Sequence, residues 1–111
     1  MLRLCALDDV PDGDAIGVEA PGGELVVVRK DGLVRVYRNE CPHLGIELNF
    51  QPDVFLDTDH QYIQCANHGA LFQVEDGLCV YGPCQGQSLV PINAQIVDGS
   101  VWIDPPHARK D

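Results

Sequence analysis

At 111 residues and 45% hydrophobic, with 17 Asp plus Glu against 7 Lys plus Arg, the chain has material for one modest core and is too short for two ordinary domains. The formal charge of −10 argues against nucleic acid and anionic membrane surfaces. It either favours a protein partner with a basic patch or simply aids solubility. No apolar run approaches the ~20 residues of a membrane span. The opening Met1-Leu2-Arg3-Leu4-Cys5-Ala6-Leu7 is broken by Asp8-Asp9 before it could serve as a signal-peptide core, so a cytoplasmic location is expected. Five Cys, an awkward number for a disulfide framework, agree with that.

In chain order, short β runs alternate with Gly, Asp and Pro turns. Leu2 to Leu7 is the first, closed by Asp12-Gly13, and Ala15 to Ala20 follows, closed by Pro21-Gly22-Gly23. Glu24 to Arg29 and Leu33 to Arg38 flank Lys30-Asp31-Gly32 and read as a hairpin. Asn49 to Gln61 reads as a solvated excursion, with Val54-Phe55-Leu56 tucking back onto the body. Tyr62 to Gln64 and Leu71 to Glu75 are the next strands, and Asp76-Gly77 turns the chain into Leu78-Cys79-Val80. Ala94 to Val97 and Val101 to Ile103 flank Asp98-Gly99-Ser100 as a second hairpin, and the Pro105 to Asp111 tail is expected to be loose. No stretch keeps a helical period and there is no repeat. The expected fold class is all-β.

Chemistry concentrates in two arms, Cys41-Pro42-His43-Leu44-Gly45 and Cys65-Ala66-Asn67-His68-Gly69, with 21 residues between His43 and Cys65. Each arm offers one thiolate and one imidazole. Together Cys41, His43, Cys65 and His68 make the ligand set of a Rieske-type [2Fe–2S] centre, in which two His replace two Cys on one iron. A structural zinc site also takes two Cys and two His, but zinc modules usually supply a Cys pair and then a His pair around one ion. Arms that each mix the two types suit a binuclear cluster. Thiolate and imidazole accept either metal, so softness does not separate the two readings.

On these arms the chain resembles the small Rieske ferredoxins that feed electrons to bacterial ring-hydroxylating oxygenases, from Leu4 through the second hairpin and most strongly from Cys41 to Leu89. The resemblance implies a base of antiparallel sheets, residues 1–40 and 87–111, with a small inserted cluster-binding β subdomain at 41–86. It also implies that Cys41 and Cys65 hold the buried iron while His43 and His68 hold the outer one. Gly45 and Gly69 would let backbone N–H groups turn toward the sulfides. Tyr81-Gly82-Pro83 resembles the proline loop covering the cluster's other side, and by itself reads as an ordinary Gly-Pro turn.

Departures from the respiratory branch of the family imply a low potential. The extra disulfide-forming Cys of that branch is replaced by Ile46 and Asn67, and its hydroxyl donors by Ala70 and Phe72. Fewer hydrogen bonds and a net acidic chain leave the added electron less stabilised, which points toward about −150 mV. The 21-residue span between the arms is longer than in most oxygenase ferredoxins, and is expected to shape a different docking surface, for a partner other than a ring-hydroxylating oxygenase.

Other candidates read blandly. His60 among Asp57, Asp59 and Gln61 is expected at the surface, and His107 to be idle. Cys79 and Cys84 read as small buried side chains rather than a disulfide, Cys5 as core packing, and Trp102 and Phe72 as core aromatics. No two-His-one-carboxylate set and no glycine-rich nucleotide fingerprint is evident. The function read here is a one-electron carrier, itself no enzyme, with a [2Fe–2S] cluster as cofactor. Its partners would be a flavin reductase and a terminal oxygenase or other oxidoreductase. Two alternatives stand beside it: a non-catalytic subunit of a larger reductase, of the nitrite-reductase kind, and a zinc-bound interaction module.

Overall fold

Alternation of side chains along one strand divides the core in two. In the strand Gly23–Lys30, Leu25 and Val27 face one cluster of buried residues while Val26 and Val28 face the other, the period of two that β geometry imposes. In the computed structural model, residues 2–20, 23–42, 48, 55–57, 59–66 and 69–104 are described. Among them the strands are β1 Leu2–Ala6, β2 Asp14–Ala20, β3 Gly23–Lys30, β4 Leu33–Arg38, β5 Tyr62–Gln64, β6 Leu71–Gln73, β7 Cys79–Tyr81, β8 Pro91–Ile92, β9 Ala94–Val97 and β10 Ser100–Ile103. The only helical element among the described residues is a single 3-10 turn, Leu7–Asp9, so the all-β expectation holds.

All strand pairings are antiparallel. One sheet has the order β1-β10-β9, a second β2-β3-β4-β8, and a third β5-β6-β7. Both expected hairpins form, each with a two-residue Asp-Gly loop. Asp31 and Gly32 take φ of 52° and 78°, and Asp98 and Gly99 take 50° and 73°. Positive φ at both central residues matches the twist of the flanking strands.

The first and second sheets enclose Val10, Leu25, Val27, Val36, Val101 and Ile103, with Cys5 buried among them as expected. The opposite face of the second sheet packs on the third through Val26, Val28, Tyr37, Phe55, Ile63 and Phe72. Tyr37 reaches across this second layer, its hydroxyl donating 2.7 Å to the Val74 carbonyl. Burying a side chain the size of Phe72 stabilises by about 1.5–3 kcal/mol.

β2, β3, β7 and β10 shift by one residue from the sequence reading, and three further differences change the local fold. Leu7 leaves β1 for the 3-10 turn, which Val10 N–H closes onto the Leu7 carbonyl at 3.1 Å. The strand expected to run to Glu75 stops at Gln73, where the carbonyl accepts from Gly77 N–H at 2.8 Å in a tight turn. The two-residue β8, absent from the reading, pairs Ile92 and Pro91 with Val36 and Tyr37. Phe55 does tuck back: it is buried, and Leu56 bridges to Ile63. Val54 and the 105–111 tail with His107 lie outside the described residues. No described helix is long and apolar enough to cross a membrane.

Candidate iron–sulfur site

The first arm leaves the end of β4 under tight backbone control. Arg38 N–H donates to Val90 O at 3.0 Å, Asn39 N–H to Glu24 O at 3.1 Å and Glu40 N–H to Arg38 O at 2.9 Å. Cys41 follows, 1% exposed and in no disulfide, in the layer between the second and third sheets. Where the chain returns at Leu48, its N–H donates 2.7 Å to Asn39 Oδ1. Asn39, the one buried polar residue among those described, also donates from Nδ2 to Glu24 Oε1. One amide thus fastens both ends of the first arm to β3.

The second arm lies between β5 and β6, and backbone bonds hold its ends together. Cys65 N–H donates to Ala70 O and Gly69 N–H to Cys65 O, both at 2.9 Å, and Gly69 takes a φ of 66° that favours glycine. Cys65 is fully buried in the same layer as Cys41 and is likewise in no disulfide. The second arm is joined to the chain beyond the first, Ala66 N–H donating 2.7 Å to the Leu48 carbonyl. His43, Gly45, Ile46, Asn67 and His68 lie outside the described residues.

A third loop meets both arms. Gly82, at φ 104°, lies so close to the second arm that a Cβ there would stand 2.8 Å from Ala70 Cα. Two residues on, Cys84 is fully buried with its Sγ 3.2 Å from Cys79 Sγ. Burial first, then hydrogen bonding and charge at Cys79 and Cys41, push the Cys84 thiol up to about 12. Cys84 therefore sits beside the sulfur of the first arm, a contact that sequence reasoning missed because nothing in the Gly-Pro-Cys string fixes how the loop folds back. Cys79 and Cys84 are both free and buried, as read from the sequence. Ala70 and Phe72 are fully buried, Trp102 is half-buried, and His60 is exposed with Nδ1 2.8 Å from Gly13 O.

This donor chemistry fits an iron–sulfur cluster. Two Cys sulfurs in no disulfide, in one buried apolar layer, suit a cluster that takes thiolate ligands. Among the described residues no three His, Cys, Asp or Glu side chains converge to hold a lone metal ion.

A family model described as "Rieske [2Fe-2S] domain" matches residues 1–97, most of the chain. The chain belongs to the Rieske [2Fe–2S] domain family, and its cofactor is a [2Fe–2S] cluster. Among relatives, it is 31% identical over 82 residues to the ferredoxin component of the naphthalene 1,2-dioxygenase/salicylate 5-hydroxylase systems of a Ralstonia species, covering 74% of each chain. The Sphingomonas yanoikuyae B1 ferredoxin is 33% identical and superposes with a TM-score of 0.76, over 95% of this chain and 98% of that one. The ferredoxin of carbazole 1,9a-dioxygenase from Nocardioides aromaticivorans IC177 shares the fold, with a TM-score of 0.76 at 22% identity over 95% and 97% of the two chains.

Proposed function

We propose that the chain is a low-potential one-electron carrier in which Cys41 and Cys65 hold one iron of the cluster, and His43 and His68 the other. The observation that carries this reading is the placement of Cys41 and Cys65, 24 positions apart in β-rich sequence, in one buried layer with the segments around them hydrogen-bonded together. When bound, the cluster supplies a site that takes up and gives back one electron. The chain's own residues do the rest. Asn39 and the Ala66–Leu48 bond hold the two thiolates in fixed relation, so little rearrangement accompanies charge transfer.

Ala70 and Phe72, both fully buried, place carbon against the site where a hydroxyl would offer a hydrogen bond. An added negative charge is poorly solvated in such surroundings, which supports the low potential. The proposed division of labour follows the sheets: residues 1–40 and 87–111 form the base, and 41–86 present the site. The relatives named for dioxygenase systems support a carrier that moves, in the cytoplasm, between a flavin reductase and a terminal oxygenase or other oxidoreductase. The chain transforms no substrate of its own, and its acidity suits a basic docking face.

EPR of anaerobically purified, dithionite-reduced protein, with iron and sulfide quantified alongside, tests the reading. A rhombic signal with average g near about 1.9 and about two irons per chain supports it. EPR silence with zinc near one per chain overturns it in favour of a structural interaction module.

A further inference from the structure

Three thiols stand outside the ligand set, and the fold treats them unequally. Cys5 is buried alone in the layer between the first and second sheets. Cys79 and Cys84 lie together in the other layer, at the two ends of the third loop. Their sulfurs are 3.2 Å apart, roughly 1 Å beyond the S–S bond length of about 2.0 Å.

The backbone holds them there. Cys79 N–H donates to Gln87 O at 2.8 Å, Gln87 N–H to Cys84 O at 2.9 Å and Gly86 N–H to Cys79 O at 3.4 Å. These bonds fold the 84–87 turn back onto β7 and bring the two thiols face to face. The rest of the loop lies at the surface. Pro83, Gln85, Gly86, Gln87 and Ser88 are exposed and Tyr81 is 63% exposed, so Cys84 is the fully buried member of an otherwise surface loop.

We propose that Cys79 and Cys84 form a second redox site, a dithiol that hydrogen peroxide converts to a disulfide. One of the two sulfurs attacks the peroxide O–O bond, giving a sulfenic acid and one water. The other sulfur then displaces the sulfenic oxygen, which leaves as a second water, and the S–S bond forms. Two thiols and one peroxide become one disulfide and two waters, with two electrons passing from sulfur to oxygen. The oxidised partner must be a small molecule, because the sulfurs are too deeply set for a bulky disulfide such as oxidised glutathione. Neither sulfur is a proposed iron ligand, so this site is chemically distinct from the cluster, though Cys84 sits beside Cys41.

The sequence makes the test clean. Cleavage after glutamate leaves Cys5 in residues 1–19, Cys41 in 41–47, Cys65 in 48–75, and Cys79 with Cys84 alone in 76–111. Cluster-loaded, full-length protein is treated anaerobically with increasing hydrogen peroxide, quenched in acid, denatured, alkylated, cleaved and weighed. The expected product is segment 76–111 lighter by two hydrogen atoms, unlabelled, and taking two labels after reduction, at doses where Cys5 is still fully labelled. The proposal is overturned if 76–111 keeps both labels after the visible cluster absorption has bleached. It is equally overturned if that segment carries sulfur-bound oxygen, or is cross-linked to another segment, instead of closing on itself.

Discussion

Gly82 rests directly on Ala70: a Cβ at position 82 would lie 2.8 Å from Ala70 Cα and 3.0 Å from Ala70 Cβ. The third loop and the second ligand arm therefore meet backbone to backbone, with no side chain between them. Gly82 is also at φ 104°, which L side chains rarely adopt. Gly82→Ala should move the loop off the arm and destabilise the protein by about 1–3 kcal/mol. Thermal unfolding should show a fall in Tm, and iron per chain should drop with it. Unchanged Tm and iron content would mean the two segments are not packed as described.

The Tyr37 hydroxyl ties the second sheet to the turn after β6 through the Val74 carbonyl. Tyr37→Phe leaves that buried carbonyl without its donor and should cost about 1 kcal/mol in denaturant unfolding. Burial chiefly, with the nearby Asp76 and Glu75 carboxylates adding and Arg35 opposing, pushes the Tyr37 phenol up to about 12 from its ordinary 10. Its folded value is thus raised, so between these two values the unfolded chain loses the proton first. The contribution is complete below pH 10 and is lost as pH rises toward 12. Unfolding curves at pH 9 and pH 11 should show this loss in the native protein and a smaller one in Tyr37→Phe.

Asn39 fastens the first arm through one acceptor and one donor, Leu48 N–H on Oδ1 and Glu24 Oε1 on Nδ2. Asn39→Ala strands the Leu48 N–H and should cost about 1–3 kcal/mol. Asn39→Asp keeps the acceptor but sets a carboxylate against Glu24. Its instability should therefore ease as pH falls and one of the two carboxyls takes a proton. Tm measured between pH 5 and pH 8 distinguishes them: Asn39→Asp should recover at the acid end, and Asn39→Ala should not.

Ala70 is fully buried at the foot of the second arm, its backbone oxygen accepting from Cys65 N–H. Ala70→Ser adds a hydroxyl donor there and should raise the reduction potential by roughly tens of millivolts, within the range that hydrogen bonds to the sulfurs command. Protein-film voltammetry on cluster-loaded protein reads it. An unmoved potential would mean the side chain at 70 serves the contact with Gly82 and does not reach the sulfurs.

Much of this architecture is written locally in the chain. Asp31-Gly32 and Asp98-Gly99 announce their hairpins because few other pairs accept positive φ twice in succession. The two arms stand out in the sequence for a similar reason, since four Cys and His positions at two short spacings leave few competing chemistries. β8 was illegible because it is two residues long, begins with a proline, and exists only through pairing with Val36 and Tyr37. β6 ends early because Gly77 N–H captures the Gln73 carbonyl and turns the chain before Glu75, a competition between strand and turn that side-chain pattern does not rank. Asn39 and the Cys84 contact were missed for a deeper reason. Each depends on where a distant segment lands, Leu48 in one case and Cys41 in the other.

Because β3 and β4 each bury residues in both core layers, the second sheet is the wall the two layers share, and β3 is an interior strand of it. Its central amides, from Leu25 to Val28, are paired on both sides, to β2 and to β4, and shielded on both faces. Such amides open to solvent only when the whole molecule does, so deuterium should enter them last. The layer that holds Cys41 and Cys65 therefore leans on the same wall as the far layer, and loosening that wall would loosen both.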